Sequence, residues 1–428
     1  MPMTSADRTS RWPVWLCWLA MVLDGFDLVV LGTVIPTLIK TQELGFDAVG
    51  ATLAATISLV GVGLGALFIA PLSDRFGRRR LLIACVAWFS VFTLAVVIAP
   101  NVLVFSTFRL LAGLGLGACL PAALAYMNDY ATKEGSAGRS TTRTMTGYHV
   151  GAVITAFLAL LLIPNWRTMF VIGGMAGLAL LPFLWFKLPE SLPPVKEANE
   201  PTEAASFRDL ARKPYPVVAA GIGVASFMGL LLVYGLNTWL PQLMASAGYS
   251  IAAGIGQLLV LNVGAVVGLV IAGILADKHG AKKVVLLWFG LSAVLLAVLS
   301  IKIQNELLLN AAVFVTGVFV FSSQVLVYAW VSQLFPSRLR ATALGYSAGV
   351  GRLGAILGPA VTGTLVAAGI AYPWGFYTFA GAAVIAVAAL AIVPQRISHE
   401  APLAGEPAPG EALGARRRPE DPGEHTAG

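Results

Sequence analysis

Apolar runs of about 18–25 residues recur twelve times along this chain, each closed by a short polar break. They centre near Val29, Gly61, Phe89, Gly115, Val153, Leu178, Leu231, Gly264, Val294, Phe319, Gly354 and Val384. A run of that length crosses a bilayer as a single α-helix, because a helix satisfies its own backbone polar groups in hydrocarbon. The first run is too long for a signal-peptide core and is expected to stay as a span. One break is different: residues 188–214 are polar, proline-containing and rich in both charges. The pattern therefore predicts an all-α membrane protein of twelve transmembrane helices in two six-helix halves, 15–187 and 215–394, joined by the loop 188–214. Residues 1–14 form a short leading tail. Residues 395–428 are rich in Pro, Gly, Ala and charge and are expected to be a disordered tail.

Composition agrees. The 428 residues are 57% hydrophobic and 11% charged, against about 25% charged in soluble domains. The net charge of +7 would suggest nucleic acid if it were not so unevenly placed. With the N-terminus inside, 23 of the 28 Lys and Arg fall in cytoplasmic segments and three (Lys40, Arg167, Lys302) in external loops. That asymmetry predicts a multi-pass protein of the inner (plasma) membrane with both termini cytoplasmic. No nucleic-acid partner is implied. The run Arg416-Arg417-Arg418 reads as part of the same signal, with a lipid-headgroup contact as the alternative.

Few chemistries survive a motif search. Cys17, Cys85 and Cys119 lie in apolar spans, give no disulfide framework and read as small core residues. Gly349-Val-Gly-Arg-Leu-Gly matches G-x-G-x-x-G by letter, but it lies inside an apolar span rather than after a strand, where glycines let helices pack closely. No metal spacing and no nucleophile–base set is present, so the chain is expected to be no enzyme and to need no cofactor or metal.

The halves repeat. Ala70-Pro-Leu-Ser-Asp-Arg-Phe-Gly-Arg-Arg-Arg follows the second span and Gly273-Ile-Leu-Ala-Asp-Lys-His-Gly-Ala-Lys-Lys the eighth, with Asp74 and Asp277 203 residues apart. Pro36 and Pro241 close the first and seventh spans at an offset of 205. Parallel duplicated halves are a transporter architecture, with the site between them near the midplane.

Charge inside the spans marks the candidate path. Asp24 and Asp27 sit three apart in the first span, on one helix face, where a charge is expensive and usually functional. Arg109 begins Arg-Leu-Leu-Ala-Gly-Leu-Gly-Leu-Gly in the fourth span. Its alternative is snorkelling to the outer surface. Arg352 lies about eleven residues into its span, close to mid-membrane, where a guanidinium can hold a carboxylate through two bonds. The alternative there is a structural pair with Asp24 or Asp27. Gly345, Ala348, Gly349 and Ala355 share roughly its face and leave room for a ligand. Tyr234 with Asn237, and Gln324 with Tyr328, each share a face of their own span and are candidates to line a cavity. Each is equally a candidate for an interhelical hydrogen bond. His149 enters the fifth span near its cytoplasmic end, as ligand or as packing.

The Asp-Arg-x-Gly-Arg-Arg loop and its echo after the eighth span resemble the signature loops of the major facilitator superfamily, over about residues 12–394. Ala70 departs from the usual glycine. Within that superfamily, Asp24-Gly-Phe-Asp27, the acid Asp129 closing the fourth span, and Phe335-Pro-Ser-Arg-Leu-Arg340-Ala-Thr leading to Gly351-Arg352-Leu-Gly-Ala-Ile-Leu-Gly-Pro resemble the aromatic acid:proton symporters. Asp129 stands for the usual glutamate, and Ala343 for a frequent glycine. The resemblance implies the major facilitator fold and proton coupling through Asp24, Asp27, Arg109 and Asp129. It also implies functional roles for Arg340 and Arg352; read from the residues themselves, Arg352 is the candidate to bind substrate, with Tyr234, Asn237, Gln324, Tyr328 and His149. A cytoplasmic gate would involve Asp74, Arg75, Arg78, Asp277, Arg139, Arg143 and Arg340, with the two aspartates capping or facing helix N-termini. The expected partners are a small organic acid, protons and the lipid bilayer, and the expected state is a monomer. The expected function is proton-coupled import of a benzoate- or hydroxybenzoate-class carboxylate. Its rivals are a symporter for another organic acid, such as a muconate-like diacid, a proton-driven drug or metabolite exporter, and a non-transporting receptor.

Overall fold

A computed structural model describes residues 12–131, 137–189 and 207–395. In the first half the long helices are α1 (Trp12–Thr41), α2 (Ala48–Leu64), α3 (Arg78–Ala95), α4 (Val102–Ala131), α5 (Ala137–Leu162) and α6 (Trp166–Lys187). In the second they are α7 (Pro216–Ser246), α8 (Ile251–His279), α9 (Ala281–Leu299), α10 (Glu306–Leu334), α11 (Ser337–Ala367) and α12 (Ala371–Ile392). Eleven are long and apolar enough to cross a membrane, and the apolar part of α5, Thr146–Leu162, is shorter. No strand occurs among the described residues. All twelve predicted centres fall within these helices. After α2 the chain passes through a π turn, Gly65–Ile69, and a 3₁₀ turn, Ala70–Leu72. Pro71 has no N–H to give the α ladder there.

The duplication is visible in how the chain punctuates its helices. Asp47 caps α2 through Gly50 N–H, and Ser250, 203 residues on, caps α8 through Ala253 N–H. Asn101 accepts from Val104 N–H at the start of α4, and Asn305, 204 on, accepts from Leu308 N–H at the start of α10. Such caps satisfy donors that the helix itself leaves free. Gly77 (φ 91, ψ 139) and Gly280 (φ 89, ψ 135) hold the same left-handed backbone before α3 and α9. A side chain is disfavoured at such an angle, which explains the glycine in both signature loops. These glycines, with no capping side chain, are the N-caps of α3 and α9. Asp277 therefore does not cap a helix, contrary to one of its two expected roles; it lies in the last turn of α8.

Packing repeats as well. In the first half α1 packs on α5, α2 on α4, and α3 on α4 and α6. In the second, α7 packs on α11, α8 on α10, and α9 on α10 and α12. Between halves, α2 meets α11, α5 meets α8, and α1 meets α7. A two-fold that exchanges the halves turns the first of these pairs into the second and the third into itself. Glycines allow close contacts between the halves: Thr52 of α2 lies against Gly363 of α11, and Gly32 of α1 against the Asn237 carbonyl of α7.

Candidate functional site

α1 carries both acids, and neighbouring glycines set its position. A Cβ on Gly25 would collide with the Tyr148 carbonyl of α5, so the glycine inside Asp24-Gly-Phe-Asp27 is what lets the two backbones touch. Thr155 of α5 adds a hydroxyl bond to the Phe26 carbonyl at 3.2 Å. On the other side, Gly113 and Gly117 of α4 press against the Ser58 and Val62 carbonyls of α2. That seam brings Ser58 beside Arg109.

Asp27 and Arg109 form a buried ion pair, Oδ2 to Nη1 at 2.7 Å, with the two residues 2% and 1% exposed. Arg109 Nη2 also donates to the Asp27 carbonyl at 2.9 Å and to Ser58 Oγ at 3.2 Å. Thr93 of α3 donates to the other carboxylate oxygen at 2.7 Å. Phe170 of α6 lies under the guanidinium, with its ring centroid 5.9 Å away. Arg109 thus points inward, and the snorkelling alternative is set aside.

Asp24 is in a different position. It is 3% exposed, and its Oδ1 is buried with no hydrogen-bond partner. Its electrostatic neighbours are Arg352 and Asp27. Arg352 is half-buried, and its Nη1 lies 3.3 Å from the Tyr234 hydroxyl. Neither Asp24 nor Arg352 has an ion-pair partner among the described residues within the 4 Å that defines a salt bridge, so the structural pair considered for Arg352 does not form. Gly354 against the Phe227 carbonyl and Gly358 against the Leu231 carbonyl fix α11 on α7. Gly345 and Gly349 face open space, while Ala355 is buried. Ile356, one turn beyond Arg352, reaches Gly63 of α2, so this face of α11 looks toward the first half.

Around Arg352 the polar side chains predicted to line a cavity come together. Tyr148, Tyr234, Asp24 and Arg352 are within electrostatic reach of one another, with Asn237 beside the Tyr148 hydroxyl. Tyr328 joins Arg352 and Gln324 from α10. His149 stacks edge-on to Phe321 across the halves, centroids 5.9 Å apart. Buried atoms without hydrogen-bond partners concentrate here: the Tyr148 hydroxyl, His149 Nδ1, Asn237 Nδ2 and both amide atoms of Gln324. Asn237 Oδ1 is the exception, accepting from Asn262 Nδ2 at 3.1 Å. An orphaned buried polar group costs about 1–3 kcal/mol. Several around one arginine describe a polar ligand site rather than a packed core.

The sequence reading missed Ser58, Thr93, Tyr148, Phe321 and Asn262. Of the gate residues, Arg78 donates to the Ala125 carbonyl of α4 at 2.8 Å. Asp277 and Arg340 are exposed, and Asp277 makes no ion pair among the described residues. The side chains of Asp74, Arg75, Asp129, Arg139 and Arg143 lie outside the described residues. Among the described residues there is no cluster of His, Cys, Asp or Glu fit to hold a metal.

Two six-helix halves exchanged by a two-fold, with a charge pair buried in the first half and polar side chains of both halves gathered around Arg352, have the architecture of a transporter. The chain belongs to the Major Facilitator Superfamily, which it matches over residues 17–263 and 254–420. It is 34% identical to a gentisate transporter of Corynebacterium glutamicum over 88% of this chain and 86% of that one. A benzoate transport protein of Acinetobacter baylyi is 29% identical, over 90% of each. Among solved structures, a D-xylose-proton symporter superposes with a TM-score of 0.72 at 17% identity, over 89% of this chain and 97% of the other.

Proposed function

We propose that the chain imports an aromatic carboxylate together with protons, by alternating access across the inner membrane, with both termini cytoplasmic. The observation that carries this reading is Arg352: a guanidinium near mid-membrane, facing the opposite half, with a tyrosine hydroxyl beside it and no carboxylate paired to it. A substrate carboxylate is the partner such a group lacks. The aromatic transporters among its relatives support the ring. Tyr148, Tyr234, Tyr328 and Phe321 supply faces to enclose one. The unpaired Asn237 Nδ2 and Gln324 amide favour a hydroxylated ring, because a site built to bond a hydroxyl discriminates against analogues that lack it. A diacid fits less well, since the buried cation Arg109 is already held by Asp27.

A competition panel on proteoliposomes tests this. Benzoate, 4-hydroxybenzoate and gentisate are expected to displace one another, the hydroxylated acids more strongly, while benzamide competes poorly. Displacement by cationic drugs or sugars, with no effect of the acids, removes the aromatic-acid reading. For Asp74, Asp277 and their basic neighbours we retain the role of cytoplasmic gate. Asp277→Asn is expected to change transport rate far more than substrate affinity, and loss of affinity at an unchanged rate would sink that assignment.

A further inference from the structure

Among the described residues, buried Asp24, Asp27 and Arg109 and half-buried Arg352 are the charges deep within the spans, and they do not pair symmetrically. Asp27 and Arg109 neutralise one another at 2.7 Å, and Thr93 and Ser58 add hydrogen bonds to the carboxylate and to the guanidinium, whose Nε alone is left without a partner. That leaves one carboxylate, Asp24, and one guanidinium, Arg352, on the face between the halves. They are close enough to feel each other and are not joined. An incoming substrate brings a second carboxylate to Arg352, which among the described residues has no ion-pair partner. Two anions beside one cation, inside a membrane, leave a net negative charge that nothing in the site offsets.

We propose that Asp24, and not Asp27, is the proton carrier, and that its proton and the substrate carboxylate are bound as a pair because Arg352 can neutralise only one carboxylate at a time. This rests on the aromatic-carboxylate reading above. In the empty site Asp24 is the counter-charge of Arg352. When the substrate anion takes Arg352, Asp24 accepts one proton from water on the side then open, at the oxygen that has no hydrogen-bond partner. On the other side both leave. The loaded and empty sites carry the same charge, so transport is electroneutral, one proton for each carboxylate. Linkage then requires that substrate raise the site's affinity for the proton by the factor by which the proton raises its affinity for substrate.

The other charged and titratable groups near Asp24 leave this balance intact. Asp27 on the same helix and Arg109 on α4 cancel. The other ionisable side chains there, Cys85 on α3, Cys119 on α4, Tyr148 and His149 on α5 and Tyr234 on α7, include no further carboxylate or guanidinium. α2 has no titratable side chain, and α6 has only Arg167 and Lys187, at its ends.

The test uses the purified full chain in proteoliposomes with labelled 4-hydroxybenzoate. Exchange against internal unlabelled acid, with no gradient, reports the substrate reading alone. Accumulation is then compared under a pH gradient with the potential clamped at zero, and under an inside-negative potential with no pH gradient. The expected result is accumulation with the first and none with the second, and wild-type binding that weakens toward tenfold per pH unit on the alkaline side. Accumulation on potential alone, or binding flat in pH, overturns the proposal while leaving exchange, and so the substrate reading, standing. Failure of exchange by 4-hydroxybenzoate counts against that substrate; the same two-gradient comparison then decides the proposal on the acid returned by the competition panel. A cationic or neutral cargo overturns both. Asp24→Asn is expected to bind substrate with no pH dependence and to lose accumulation on a pH gradient. Gradient-driven accumulation by Asp24→Asn overturns the assignment, whatever Asp27→Asn does.

Discussion

Asp27 Oδ2 lies 2.7 Å from Arg109 Nη1 with both residues almost wholly buried, and this bond ties α1 to α4 across the first half. Removing one member of such a pair strands the other. Arg109→Leu is expected to destabilise the protein by about 3–5 kcal/mol. Combining it with Asp27→Leu removes the stranded charge, and the double variant is expected to recover most of that loss. Thermal unfolding of the four proteins in detergent gives the cycle. Equal melting of the single and double variants would show that the two residues are not energetically coupled.

Thr93 holds the second oxygen of the same carboxylate. Thr93→Val keeps the shape and removes the donor, and is expected to cost about 1.5–3 kcal/mol, the range for a hydrogen bond to a charged group. Thr93→Ser keeps the donor and is expected to stay within about 1 kcal/mol of wild type. The same melting assay separates them.

Much of this was readable from sequence, and the exceptions have physical causes. Twelve spans, two halves and the signature loops followed from span length and from motifs about 203 residues apart. The pairing of charges did not follow. Two acids and two arginines in the spans permit either arginine as partner of Asp27, and the three-residue spacing of Asp24 and Asp27 says nothing about how α1 is rotated against α4. Thr93 and Ser58 left no signal either. Hydroxyls in apolar helices usually bond the carbonyl one turn back, as Ser90 does with Val86, Ser106 with Val102 and Thr316 with Ala312. Thr93 looks the same in sequence but bonds across helices. Tyr148 was hidden for a similar reason, since only the approach of α1 at Gly25 makes it a neighbour of Asp24.

Arg352→Lys keeps the charge and loses the planar fork. Affinity for an aromatic carboxylate is expected to fall by about 1.5–3 kcal/mol, roughly 10- to 150-fold. Equilibrium binding of 4-hydroxybenzoate to the purified variant measures it. An unchanged dissociation constant would remove Arg352 from the binding site.

Gly280 sits at φ 89 with open space where a side chain would go. Gly280→Ala therefore reports the backbone conformation alone. A loss of about 1–3 kcal/mol is expected, the usual range for a residue held in a sparsely populated region. Its counterpart Gly77→Ala should lose a similar amount. A melting temperature unchanged in both would mean that these loops relax at no cost.

The contact of Gly32 with the Asn237 carbonyl has a mechanical consequence. With no side chain between them, α1 and α7 meet there as two rods meet at a pin. From Gly32 back to Trp12 the helix runs about 30 Å at 1.5 Å per residue. A tilt of about 10° at the pin then swings the far end by about 5 Å on that length. The long arms of α1 and α7 thus have the geometry of levers, in which a slight flexing at the Gly32 contact would be magnified at their far ends.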